Sequence, residues 1–132
     1  MELQVGVKIL LQNAEGKYLF LLRSAEKYPE TGAQWDIVGG RIDPGTGLLQ
    51  NLKREIKEET GLDFTAEPKL IGVQDILSVP GRHVVRLTYT GCIDGNPTLD
   101  EDHTDFKWFT LEEVKQLENL DTYVREILEK YF

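Results

Sequence analysis

Apolar residues recur at every second position in Leu3, Val5, Val7, Ile9 and Leu11, which predicts a half-buried strand over residues 3–12. Asn13-Ala14-Glu15-Gly16-Lys17 makes a polar turn, and Tyr18–Ser24 returns as a second strand. Pro29 and Gly32 mark residues 25–34 as a loop, and Gln34–Val38 is a short strand running into Gly39-Gly40. The period then changes to that of a helix over about Gly47–Thr60, with Gly61 where a helix end favours a left-handed residue. Pro68–Val79 and Arg82–Ile93 read as a hairpin about Pro80-Gly81, with Val85, Leu87, Tyr89 and Ile93 pointing one way. Asp94–Thr104 is an acidic loop and Asp105–Phe109 a short strand. Thr110-Leu111-Glu112-Glu113 matches a capping box, and Asp121 caps a last helix ending near Tyr131. No repeat, low-complexity tract or linker divides residues 1–132, so they read as one domain. Strands and helices are mixed and hairpins are present, which favours an α/β sandwich over a doubly wound sheet.

Composition narrows the function classes. The net charge is −8, from 15 basic and 23 acidic residues. Such a surface repels nucleic-acid backbones and argues against duplex binding, but a metal ion can reverse the field locally for a small phosphorylated ligand. Met1-Glu2-Leu3-Gln4 lacks the start of a signal peptide, and no run of about 18 apolar residues would span a membrane. Cys92 is the one cysteine, so no internal disulfide forms and a cytoplasmic setting is expected. Its place in a strand-like run predicts a buried structural thiol rather than a nucleophile.

On a helical wheel Leu48, Leu49, Leu52 and Ile56 form one apolar stripe. Glu55 and Glu59 flank it, Glu58 lies about 60° round from Glu55 by the same arithmetic, and Lys53 and Lys57 point to water. Like charges at this spacing repel, desolvation at a core edge adds to the cost, and a helix C-terminus is the wrong end for acids. A hard divalent cation would offset all of this. An amphipathic helix with solubilising glutamates is the plainer alternative.

The surrounding residues favour the cation. Gly40, Thr46, Arg54-Glu55-Ile56, Glu58-Glu59 and Gly61-Leu62 strongly resemble, in order and spacing, the signature of the Nudix hydrolases. Trp35-Asp36-Ile37-Val38-Gly39 before it and Trp108-Phe109-Thr110-Leu111-Glu112-Glu113 after it extend the resemblance over most of the chain. It implies an α/β/α sandwich with a mixed β-sheet. It further implies a Mg²⁺-dependent pyrophosphohydrolase, with Mn²⁺ as substitute, that cleaves a nucleoside diphosphate linked to another group. Glu55, Glu58, Glu59 and the Gly39 carbonyl would be metal ligands, and Arg54 would orient the carboxylates. Gly40 and Gly61 would permit the turns on either side of the helix.

The chain departs from that signature at Thr46, where the family has Glu, and at Val38, where it has Pro. A Thr46 hydroxyl can cap the helix but supplies no negative charge, which predicts weaker metal binding or slower turnover. Gly47 adds about 1 kcal/mol of backbone cost near the helix start.

Asp102, and after it Glu101, is the acidic-loop candidate for general base or extra ligand; a solvated loop is the alternative. Leu99 occupies the glycine position an EF-hand would need. His83 and His103 lack zinc spacing and read as surface or structural. Arg23 at its strand end is placed either to grip phosphate or merely to snorkel. Arg41 follows the glycine pair and could also meet phosphate, with Arg82 and Arg86 as weaker bids. Tyr28 could stack on a base, whereas Trp35 fits packing better. Glu59 or Asp102 would take the proton of the attacking water.

The substrate expected is a small free nucleotide: an NTP, a damaged (d)NTP, ADP-ribose, a nucleotide sugar or a dinucleoside polyphosphate. A homodimer is the commonest oligomer for such a chain. A fold that binds nucleotide without hydrolysing it, and a partner-binding domain with merely solubilising acids, are the competing classes.

Overall fold

The computed structural model describes residues 1–132. Its strands are β1 (Glu2–Gln12), β2 (Tyr18–Arg23), β3 (Trp35–Asp36), β4 (Val38–Arg41), β5 (Lys69–Ile76), β6 (Arg82–Cys92) and β7 (His103–Phe109). The helices are α1 (Leu48–Thr60), α2 (Leu111–Lys115) and α3 (Thr122–Tyr131). β1 pairs parallel to β6 along its whole length and antiparallel to β4, and β5 closes one edge against β6. β2 pairs antiparallel with β3 and β7. These two groups of strands meet only where Gln12 pairs with Tyr18. The mixed sheet therefore opens between β1 and β2 away from that junction.

Strand alternation divides the core into two layers. Val7, Ile9, Leu11, Leu19 and Leu21 pack on Leu52 and Ile56 of α1. Leu10, Tyr18 and Phe20 face the other way, onto Val114 of α2 and Val124 and Leu128 of α3. Helices thus cover both faces, giving the α/β/α sandwich. Trp35 belongs to the second layer, edge-on to Phe109 at 5.2 Å. The capping box at Thr110 and the Asp121 cap both form. Gly61 ends α1 at φ 70°, its N–H bonded to the Lys57 carbonyl.

The expected strand over Gln34–Val38 is interrupted. Asp36 Oδ1 accepts the Ile37 N–H at 2.8 Å, taking that amide from the ladder, while Ile37 turns into the second core layer. Cys92 is exposed, not buried. Tyr89 and Gly91 hold the inward phase of β6, Ile93 just beyond its end continues it, and Gly91 lies against the Phe64 ring, so Cys92 falls on the opposite face. No helix is long and apolar enough to cross a membrane.

Candidate active site

The entry to α1 is organised by a residue the helical wheel did not single out. Asn51 is fully buried, while Leu49, assigned to the apolar stripe, is exposed. The Asn51 side chain accepts the Asp43 N–H at 3.0 Å and donates to the carbonyls of Thr46 and Gly47 at 2.9 and 2.7 Å. These bonds satisfy the amide, which allows its burial, and they hold the loop between β4 and α1. Thr46 does not cap the helix: the N-cap is Gly47, with no side-chain bond.

Two turns further on, the acids of α1 line a cavity of about 330 Å³. Glu55 and Glu59 are turned inward, with side chains 15% and 8% exposed, while Glu58, at 59%, stands on the rim. The Arg54 guanidinium donates to Glu55 Oε1 at 2.9 Å and to the Arg41 carbonyl at 3.2 Å. It also pairs with Asp43 and lies 3.7 Å from Glu58 Oε1. Arg54 therefore binds the acidic turn of the helix to the glycine strand. The Gly39 N–H donates to Glu59 Oε2 at 3.2 Å. Gly40 lies against Glu55: a Cβ there would stand 2.8 Å from the carboxylate carbon.

Burial and the adjoining Glu55 carboxylate raise the Glu59 pKa to about 9, against the opposing pull of Lys8 and the Gly39 N–H. Glu59 thus stays protonated at neutral pH until a positive group arrives. No three His, Cys, Asp or Glu side chains are already drawn together as a closed metal cluster. The donors present are nevertheless carboxylate oxygens, one of them nearly dry, with the charge of Lys8 too weak to offset its burial, which suits a hard divalent cation.

The opposite wall is cationic and comes from strands far apart in sequence. Lys8 Nζ is 3.1 Å from Asp36 Oδ2 and also donates to the Ile37 carbonyl at 3.2 Å. Arg23 donates to Gln34 Oε1 at 2.6 Å and to Asp121 Oδ1 at 3.1 Å, and its Nε lies 3.9 Å from Asp36. Arg86 Nη1 approaches Asp121 Oδ2 only to 3.6 Å. Arg23 is thus a buried network member, not a snorkelling strand end. Burial alone would raise the Asp36 pKa, but Lys8, Arg23 and Arg86 together hold it below the ordinary range. Arg23 Nε and Arg86 Nη1 remain buried without hydrogen-bond partners, and both side chains line the cavity. Arg41 is on the lining too, its pKa lowered by partial burial and by Arg82 and Arg86. Tyr28 completes this side, with the Arg23 guanidinium 5.6 Å from its ring centre.

Asp100 and Asp102 of the loop before β7, with His103 at the start of that strand, close the cavity; Glu101 is exposed and off the lining. The Asp102 carbonyl accepts the Ser24 N–H at 2.9 Å. His103 is a cavity residue rather than a surface one, its side chain 8% exposed. Of the residues singled out in the sequence, Arg23, Gly39, Gly40, Arg41, Glu55, Glu58, Glu59, Asp102 and Arg86 meet here, with Arg54 behind them. Lys8, Asp36 and Asp100 of the lining were missed, and Asp121, expected only as a helix cap, also pairs with Arg23 behind it. The one local signal was a lysine and an aspartate inside strand-forming runs, where charge is costly unless paired.

An acidic helix thus faces a guanidinium-rich wall across a glycine strand, within an α/β/α sandwich. A model of the NUDIX domain matches residues 2–131, and the chain belongs to the Nudix hydrolase family. It is 30% identical over 117 residues to nucleoside triphosphatase NudI of Klebsiella pneumoniae (strain 342), spanning 80% of this chain and 81% of that one. It is 29% identical over 103 residues to the CTP pyrophosphohydrolase of Escherichia coli (strain K12), spanning 77% and 73%. The crystal structure of a MutT protein from Methanosarcina mazei Go1 superposes with TM-score 0.86 at 26% identity, covering 98% of this chain and 92% of that one.

Proposed function

We propose that this Nudix hydrolase is a Mg²⁺-dependent pyrophosphohydrolase of a nucleoside triphosphate, with Mn²⁺ as a substitute metal and one catalytic domain spanning 1–132. The observation that carries the reading is the pairing of Glu55, Glu58 and Glu59 with Arg23 and Arg41 across one cavity. The relatives' names, nucleoside triphosphatase and CTP pyrophosphohydrolase, favour a triphosphate over ADP-ribose or a nucleotide sugar.

Glu55, Glu58, Glu59 and the Gly39 carbonyl would hold the metal. Once bound, the ion supplies neutralisation of phosphate oxygens and a water of lowered pKa. Arg23 and Arg41 bind the phosphate chain and stabilise charge that develops on its oxygens. Asp102 takes the proton of the attacking water, with Glu59 as the other candidate base. Water adds to one phosphorus of the α–β anhydride, the bridging P–O bond breaks, and the leaving group, pyrophosphate or the nucleoside monophosphate according to which phosphorus is attacked, departs with that electron pair. Arg54 positions Glu55 and Glu58, and Gly40 gives Glu55 room. Thr46 lies off the cavity lining, so its missing carboxylate weakens metal binding or slows turnover rather than abolishing it. This supports an enzyme over a binding-only module. The net charge of −8 argues for a free nucleotide rather than a duplex.

A panel of CTP, other NTPs and dNTPs, damaged dNTPs, ADP-ribose and nucleotide sugars, run with Mg²⁺ or Mn²⁺ and read by product mass, tests the reading. A nucleoside monophosphate and pyrophosphate from a triphosphate are expected. Tight nucleotide binding with no product in either metal would contradict it.

A further inference from the structure

His103 opens β7 directly beside Arg23, in register with it. Its ring is nearly buried, and its two nitrogens face two different carboxylates. Nδ1 lies 2.7 Å from Asp100 Oδ1, and because an ionised carboxylate can only accept, this hydrogen bond favours the tautomer with its proton on Nδ1. Nε2 faces Glu59 Oε1 at 3.8 Å, too far for a hydrogen bond. A carboxylate that fixes one imidazole nitrogen while the other looks toward an oxygen donor is the arrangement that orients histidine as a metal ligand. The spacing also fits. Two ligands each about 2.1 Å from a shared ion stand roughly 3–4 Å apart. The ring has no other polar partner that would explain burying Nε2 against Glu59.

We propose that His103 Nε2, oriented by Asp100, is a nitrogen ligand to the divalent ion held by the glutamates of α1. The inference rests on the metal-site reading of those glutamates and adds a donor from a different part of the chain. An imidazole in an otherwise oxygen-donor site shifts preference from Mg²⁺ toward Mn²⁺ and later transition metals.

Pulsed electron paramagnetic resonance of the Mn²⁺-loaded full chain tests it, because ¹⁴N modulation reports a coordinated imidazole independently of turnover. The chain has two histidines, so the assignment needs only two variants. Modulation is expected in the wild type and in His83→Gln, and should be absent in His103→Gln. Mn²⁺ affinity by titration should fall roughly tenfold in His103→Gln, with a smaller loss for Mg²⁺. Bound Mn²⁺ without ¹⁴N modulation in the wild type would overturn the proposal while leaving the carboxylate site standing. Modulation that persists in His103→Gln would overturn it as well. Failure of the wild type to take up Mn²⁺ at all would remove both this proposal and the metal site on which it depends.

Discussion

Gly40 and the carboxylate of Glu55 share a space that a methyl group would fill: a Cβ on Gly40 would lie 2.8 Å from the Glu55 carboxylate carbon. The obstacle is the end of a side chain, so Gly40→Ala is accommodated by moving Glu55 off its bond to Arg54. Gly39 differs in kind. Its φ is 150°, and a Cβ there would stand 2.0 Å from the Val7 carbonyl oxygen, against backbone that cannot yield. Gly40→Ala should therefore stay within about 1 kcal/mol of wild-type stability yet lose most activity, whereas Gly39→Ala should lose on the order of 3 kcal/mol. Urea melts of both variants beside turnover of Gly40→Ala check the contrast. An equally unstable pair would show that the glycines serve only the fold.

Glu59 ties stability to pH in the metal-free protein. Its pKa is raised from 4.5 to about 9, so between those values the folded chain binds a proton that the unfolded chain has released. Stability is full below the lower value and falls as pH rises through the window, by up to about 1.4 kcal/mol per pH unit. Asp36 carries the opposite sign. Its pKa is lowered, so its contribution is present above the ordinary carboxylate range and fades as pH falls through the depressed value. In chelator, the urea midpoint should decline from about pH 5 to about pH 8, and Glu59→Gln should flatten that decline. A wild-type midpoint that rises over this interval would contradict the assignment.

Asn51 and Thr46 separate the loop's structure from its chemistry. Asn51→Leu removes three hydrogen bonds and leaves the Asp43 N–H and the Thr46 carbonyl without their partner, while the Gly47 carbonyl keeps the backbone N–H of residue 51 at 3.1 Å. It should cost about 2–4 kcal/mol. The Thr46 side chain makes no hydrogen bond in the α1 cap, so Thr46→Glu should change stability by less than about 0.5 kcal/mol while tightening Mg²⁺ binding. Thermal melts and magnesium titration calorimetry measure the two effects. Weaker magnesium binding in Thr46→Glu would count against the expected role of the position.

Local patterns carried a large part of this architecture. Alternation in β1 and β2 marked residues that face α1. Helical spacing put Glu55 and Glu59 beside the apolar stripe of α1, and the resemblance of the surrounding residues to the Nudix signature, not spacing alone, favoured a metal over a solubilising role. The pairing of Lys8 with Asp36 joins residues 28 apart, and that of Arg23 with Asp121 joins residues 98 apart. No local period encodes such contacts; they depend on the way β1 and β2 diverge away from the Gln12–Tyr18 pair. Asn51 was missed for a related reason: a polar side chain reads as solvent-facing until its partners in the preceding loop are known. Leu49 shows the converse, an apolar residue at the right helical phase that the loop leaves in water. His103 read as a lone histidine because its carboxylate neighbours come from α1 and from the turn before β7.

The proposed hydrolysis requires the α1 glutamates to hold a metal ion that activates the phosphoanhydride. Glutamine matches the protonated form in which Glu59 already rests, so the double variant Glu58→Gln, Glu59→Gln should fold and keep its circular dichroism. The most direct measurement is Mg²⁺-dependent turnover of the best nucleotide by this folded variant beside the wild type. A drop of roughly 1,000-fold or more is predicted; undiminished turnover would contradict the account.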